Sequence, residues 1–201
     1  YVRSVLANPE IKGQTKGYLE LTLKGLFRIE NIVQQIMSYS RRQEAEFADV
    51  NHLINDSLNY AQIKTTEKKV KLKLKLAADL PRIYVNPAQI QQVFINLINN
   101  AVDAVDSEGE LAVETSADGK RLYASFTDNG KGISEGAIDK LFTPFYTTKE
   151  VGKGTGLGLF ISYNIIQIYQ GTLDIKSMEG RGTSVTVSLP LFFGGEIDRK
   201  K

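Results

Sequence analysis

Residues 128–159 read DNGKGISEGAIDKLFTPFYTTKEVGKGTGLGL, and the rest of the chain is arranged around them. Two glycine clusters, Asp128 to Gly132 and Gly152 to Gly158, bracket an aromatic segment, LFTPFYTTK. Glycine loses more conformational freedom on ordering than any other residue. Such density therefore needs a reason, either a positive φ or close approach of the backbone to a ligand. The second cluster runs straight into an apolar helical pattern, Leu157 to Tyr169. A glycine-rich loop feeding a helix N-terminus favours anions, because unpaired N–H groups and the helix dipole point at the ligand. The pattern fits a nucleotide-phosphate site with a mobile cover. It equally fits a pair of glycine-rich surface turns, and the stretch alone does not separate the two. Two common phosphate motifs are absent. Gly152-Lys153 is followed by Gly154 and lacks the leading glycine of a Walker A loop, and neither cluster spells G-x-G-x-x-G.

Immediately upstream lies a strand pair. Residues 110–117 and 120–128 read as strands joined by Asp118-Gly119, a strong hairpin signal, and the second strand delivers Asp128 at its end. Downstream, Gly171 stops the helix. Residues 172–177 and 183–190 then form a last hairpin across Glu179-Gly180-Arg181-Gly182.

Further upstream, Pro87 opens a helix running to about Val105, since proline is tolerated in the first helical turn. Its apolar face is Ile90, Val93, Phe94, Leu97, Ile98, Ala101 and Val102. Asn96, Asn99, Asn100 and Asp103 interrupt that face. Asparagine is a poor mid-helix residue because its amide competes for backbone hydrogen bonds. Asn96 and Asn100 are four apart, hence on one face, with Asp103 one turn further on. Such a stripe of oxygens suits a hard cation such as magnesium, which takes few protein ligands and several phosphate and water oxygens. It also suits a polar helix edge bonded to a neighbouring loop.

At the start of the chain, residues 1–8 read as the end of a helix halted by Asn8-Pro9. Residues 15–44 form a long helical pattern with a seam at Leu19, Thr22, Leu26, Ile29, Val33, Ile36 and Ser40. Ile32 and Met37 widen the seam toward a four-helix bundle, so the expectation is a homodimer of helical hairpins. Asp49 caps a helix over 50–66. Val70 to Leu76 alternates strictly as V-K-L-K-L-K-L, a half-buried strand with its lysines in water, and Ile83-Tyr84-Val85 is a second, short strand. The predicted fold class is α+β: a two-layer sandwich with an antiparallel-rich sheet and three helices on one face. The domain boundaries are 1–46 for the helical hairpin, 47–193 for the sandwich and 194–201 for a loose tail.

Bulk composition narrows the chemistry. The 201 residues carry 42% hydrophobic residues and a net charge of +2, which fits a globular chain without the basic footprint of a nucleic-acid binder. There is no cysteine and a single histidine, His52, so thiol nucleophiles, disulfides, cysteine-ligated metals and multi-histidine metal sites are excluded. No apolar run approaches a membrane span and no signal peptide is visible, so membrane contact by these residues is not expected. The chain starts at Tyr1 within a helix-like pattern, as a piece of a longer protein would. The expected location is cytoplasmic, with a parent protein that is either soluble or membrane-anchored.

Five motifs in order resemble those of sensor histidine kinases. Asn96 to Ala104 (NLINNAVDA) is similar to their N box, Asp128 to Ile133 (DNGKGI) to the first G box, and Leu141 to Lys149 to the F box. Gly152 to Leu159 (GKGTGLGL) is similar to the second G box, and Gly180-Arg181-Gly182-Thr183 to the final glycine motif. Residues 18–44 also look like the second helix of the dimerisation bundle in these kinases.

The resemblance implies the Bergerat ATP-binding fold, with ATP and magnesium as cofactors. By matching position, Asp128 would accept a hydrogen bond from the adenine amine. Gly130 and Gly132, with Ile133 beside them, would let the backbone approach the nucleotide, and Thr183 would support the adenine end. Asn100 would hold the metal, with Asn96 and Asp103 a turn away on either side. Gly154, Thr155, Gly156, Leu157 and Gly158 would bring the lid backbone to the phosphates. Either Lys149 or Lys153 would neutralise γ-phosphate charge, and Phe142 and Phe145 would anchor the lid. The hydrolysing relatives carry a glutamate as general base where this chain has Asn96, whose amide cannot take that proton. The implied activity is therefore ATP-dependent protein-histidine kinase in a two-component phosphorelay. The partners implied are a second copy of the chain and a response regulator receiver domain.

One departure qualifies this. The acceptor histidine of such kinases lies in the first bundle helix, and His52 sits in DVNHLI without that motif. The chain as given is thus expected to bind ATP without phosphorylating itself. Two other readings are a hydrolysing ATPase of the same fold, and a non-catalytic dimeric module docking a response regulator or a proteinaceous kinase inhibitor.

Overall fold

The structure, a computed structural model, describes residues 12–40, 44–106, 108–149 and 154–191. The expectations for residues 1–8, for the helix end after residue 40, for Lys153 and for the tail fall wholly or partly outside them. Helix α1 (Gly13–Ser40) leads. A three-residue strand, β1 (Glu46–Ala48), then pairs antiparallel with β3 (Ile83–Val85). Phe47 and Tyr84 meet edge to face across that pair, their centroids 5.3 Å apart. The sequence marks β3 but not β1, which is too short to show a period.

Two helices form the inner layer. Asp49 opens α2 (Val50–Glu67) by accepting the His52 N–H at 3.2 Å. Asn86 opens α3 (Pro87–Ala104) in the same way, accepting the Gln89 N–H at 3.2 Å, while Pro87 takes a position whose N–H would be unpaired anyway. The face of α3 read from the sequence, Ile90 to Val102, is buried. Phe94 lies on Phe126 of the sheet with ring centroids 5.5 Å apart.

The main sheet has five strands. They are β2 (Lys71–Lys75), β4 (Glu110–Ala117), β5 (Arg121–Asp128), β6 (Thr172–Met178) and β7 (Gly182–Pro190), in the order β2-β4-β5-β7-β6. Only β2–β4 is parallel; the other pairings are antiparallel. A short helix, α4 (Glu135–Ile138), and α5 (Gly158–Ile168) complete the described elements. Alternate residues of the central strands (Leu111 and Val113, then Leu122, Ala124 and Phe126, then Val187 and Leu189) point into one core against α2, α3 and α5. On the opposite face Ser125 bonds Thr186 and Thr127 bonds Ser184, each at 2.8 Å, as suits a solvated face.

The strand β2 departs from the sequence reading. Its lysines are in water, but Leu72 and Leu74 are also 41% and 48% exposed. The cause is position: among the described residues β2 is an edge strand paired only to β4, and α2 packs on α3. Val70 and Leu76, just outside its ends, are the residues that reach the core.

Candidate functional site

The register of the sheet builds one end of the site. Asp128, the last residue of β5, is paired with Thr183 near the start of β7. Its Oδ1 accepts the Gly130 N–H at 2.9 Å, and the Thr183 N–H also bonds this carboxylate. Asp128 is only 7% exposed. Burial raises its carboxyl above the ordinary value, and the two N–H groups offset that only in part. Ser177 of β6 ties the neighbouring backbone: its Oγ accepts the Ile133 N–H at 2.9 Å, donates to Gly182 O at 2.9 Å and lies 2.9 Å from Thr183 Oγ1. Nothing in the sequence singled out Ser177, because its partners belong to two other segments.

The other end is built on α3. Asn100, Asp103 and Lys149 form a polar cluster: the Lys149 ammonium donates to Asn100 Oδ1 at 3.1 Å and to Asp103 Oδ2 at 2.6 Å. Lys64 of α2 pairs with the other oxygen of Asp103. Burial raises the Asp103 carboxyl, but the hydrogen bonds and charges of Lys149 and Lys64 together outweigh it and hold it below its ordinary value. Lys68, one turn beyond Lys64, donates to the carbonyls of Val102 and Val105 at 2.9 and 2.8 Å, closing the C-terminus of α3. The i, i+4 spacing of Lys64 and Lys68 was visible in the sequence; their partner helix was not.

Between these ends lies one cavity of about 900 Å³. Of the residues singled out from the sequence, Asn96, Asn100, Asp103, Asp128, Gly132, Ile133, Lys149, Gly154, Thr155, Gly156, Gly158 and Thr183 line it. Gly130 and Leu157 do not. A side chain at Gly130 would meet the Ala104 carbonyl, 2.4 Å from its Cβ, and Leu157 is a core residue at the start of α5. Lys153 lies outside the described residues. Asn96 reaches the cavity wall, yet its amide is engaged with α5: Nδ2 donates to Ser162 Oγ at 3.0 Å, and a Cβ on Gly158 would stand 2.2 Å from its Oδ1.

The glycine requirement has a source the sequence does not reveal. Gly132 and Gly156 have φ of 67° and 70°. Added Cβ atoms there would sit 2.1 Å from Met178 O and 2.3 Å from Phe145 C. The crowding at both comes from the protein's own backbone, besides whatever a ligand adds. The two aromatic anchors also divide. Phe142 is partly buried and packs on Tyr163, centroids 4.7 Å apart, whereas Phe145 is 67% exposed.

A magnesium site can be tested against this geometry. No group of three or more His, Cys, Asp or Glu side chains gathers among the described residues. The amide oxygen of Asn100 and the carboxylate of Asp103 do converge on one cation, the Lys149 ammonium. Two hard oxygens beside an open cavity fit a metal that takes most of its ligands from phosphate and water.

A buried carboxylate and an amide-and-carboxylate cluster face each other across a cavity between a mixed sheet and its helices, and this defines the class. Residues 85–192 match the histidine kinase-, DNA gyrase B- and HSP90-like ATPase family, and the chain belongs to that family. Within it, these residues form a catalytic domain of the sensor histidine kinase type. Over 188 residues the chain is 34% identical to sporulation kinase E of Bacillus subtilis, covering 90% of this chain and 25% of that protein. It is 32% identical over 181 residues to the sensor histidine kinase ZraS of Escherichia coli K12, covering 89% of this chain and 38% of that one. The chain thus spans a quarter to two-fifths of these relatives. The solved catalytic domain of histidine kinase ThkA superposes with a TM-score of 0.67 at 27% identity, over 74% of this chain and 99% of that one. A structure of ThkA in complex with the response regulator protein TrrA superposes with a TM-score of 0.71 at 25% identity, over 95% of this chain and 55% of that chain.

Proposed function

We propose that this chain binds magnesium-ATP in the 900 Å³ cavity and donates the γ-phosphoryl group to a histidine on a dimerisation helix, from which it passes to an aspartate of a response regulator. The observation that carries the reading is the pairing of a buried Asp128 at one end of the cavity with the Asn100–Asp103–Lys149 cluster at the other. Asp128 accepts the adenine amine there. A hydrogen bond to a charged group contributes roughly 1.5–3 kcal/mol, enough to select the base. Thr183, Gly132 and Ile133 frame that end, and Gly154 to Gly158 face the phosphates. Asn100, with Asp103 and Asn96 beside it, holds the metal, and Lys149 or Lys153 meets the terminal phosphate. Magnesium supplies charge neutralisation and the γ-phosphate supplies the transferred group; the protein supplies position.

Asn96 argues for transfer over hydrolysis. Its amide cannot accept a proton from water, and it is already bonded to Ser162. The TrrA complex of ThkA supports a receiver domain as the onward acceptor. The exposed apolar residues of α1, including Leu26 and Ile29, support a homodimer through that helix.

The test supplies the phosphoacceptor. The chain is incubated with magnesium, γ-labelled ATP and a histidine-bearing bundle helix from a kinase of this family. Label on that histidine, stable to alkali and lost in acid, is the expected result. Release of free phosphate with no protein label would contradict the proposal in favour of hydrolysis.

A further inference from the structure

Lys149 sits where a bound metal would compete with it. Its ammonium bonds Asn100 Oδ1 at 3.1 Å and Asp103 Oδ2 at 2.6 Å, and its side chain is only 30% exposed. The lysine stem is guided there. Its Cβ and Cδ lie 3.3 Å from where a side chain on Gly154 would begin, so the first described glycine of the second cluster leaves room for it. Its backbone N–H donates to Thr147 Oγ1 at 3.1 Å, which fixes the turn that aims it. The Asn100–Asp103 pair therefore already holds one positive charge, and that charge belongs to the aromatic segment beside the glycine loop.

We propose that Lys149 is the residue that makes this site prefer ATP to ADP, by acting as an exchangeable internal cation on Asn100 and Asp103. The inference rests on the nucleotide reading above. A nucleotide that brings a divalent cation to Asn100 must move the Lys149 ammonium off it. That breaks two hydrogen bonds, one of them to a carboxylate. In ATP the terminal phosphate offers the displaced ammonium new acceptors inside the cavity. ADP ends one phosphate short and offers none, so the loss stands uncompensated. Losing one charge-assisted hydrogen bond shifts an equilibrium by roughly ten- to a hundredfold. Lys64 reaches Asp103 from α2 rather than from the loop, so the carboxylate keeps a partner during the exchange.

Opposite signs make the idea testable. Affinities for magnesium-ATP and magnesium-ADP are measured by calorimetry on the wild-type chain and on Lys149→Met and Lys149→Arg, with thermal unfolding followed in parallel. Lys149→Met is expected to weaken ATP about tenfold and to tighten ADP severalfold. Lys149→Arg, which keeps the charge, is expected to restore the ATP preference. With manganese alone as a spin probe, Lys149→Met is expected to bind the ion more tightly than wild type. The inference is overturned if ATP and ADP affinities move together or if ADP is unaffected by the loss of the lysine. A wild-type chain that binds neither nucleotide would overturn the parent reading as well, so the two failures are told apart.

Discussion

Burial sets the Asp128 carboxyl above its ordinary value, and the N–H groups of Gly130 and Thr183 lower it only in part. An acid whose folded value is raised holds its proton more tightly folded than unfolded. Its ionisation therefore opposes folding at neutral pH, and that penalty disappears as pH falls through the raised value. Asp128→Asn is accordingly expected to leave the melting temperature unchanged or higher while removing ATP binding, the usual exchange of stability for function. Asp103 has the opposite sign. Burial raises it, but Lys149 and Lys64 lower it further, so its charge stabilises the fold above the ordinary carboxylate value. Melting curves should show wild type more stable than Asp103→Asn at neutral pH, the gap closing as pH falls through the lowered folded value. Both aspartates were legible as residues, one ending a strand and one extending an asparagine stripe. Their environments were not, since Lys64 reaches Asp103 and the Thr183 N–H reaches Asp128 from segments distant in sequence.

Helix α3 and the β4–β5 hairpin show what an element's own sequence can disclose. The hairpin was fully legible: Asp118 Oδ1 accepts the N–H groups of Lys120 and Arg121 at 3.0 and 2.9 Å, and Gly119 takes a φ of 84°. The Tyr123 hydroxyl, donating at 2.7 Å, and those two N–H groups draw the Asp118 carboxyl down to about 2. A Cβ at Gly119 would touch nothing, so Gly119→Ala isolates the backbone strain. Chemical unfolding should report a loss of about 1–2 kcal/mol. Gly132→Ala adds a clash with Met178 O and should cost more. The start of α3 at Pro87 and its end near Val105 were both legible, but the group that closes that end was not. Lys68 closes it from a helix 34 residues earlier. Lys68→Met should cost ~1–2 kcal/mol, the upper range for a partly buried cation at a helix C-terminus. The edge strand β2 misled because alternation reports only which residues could share a face. It does not say whether a helix covers that face, and among the described residues no helix covers it closely enough to bury Leu72 and Leu74.

At the scale of the molecule, the motif order disclosed the family before any geometry was known. The sheet order was out of reach. Placing β7 between β5 and β6, and β2 parallel to β4, depends on long-range pairing that no local pattern encodes. That order is what sets Asp128 beside Thr183. The helix α1 leaves Tyr18, Leu21, Leu26 and Ile29 exposed on one chain. Sedimentation is expected to show a dimer that Leu26→Lys with Ile29→Lys converts to monomer; a wild-type monomer at high micromolar concentration would count against the bundle.

Asp128 and the cavity behind it test the account most directly. Calorimetric titration of the wild-type chain with magnesium-ATP, alongside Asp128→Asn of equal or higher melting temperature, is the deciding measurement. The account predicts saturable binding at one site per chain and its loss in the variant. Undiminished ATP binding by Asp128→Asn would contradict it.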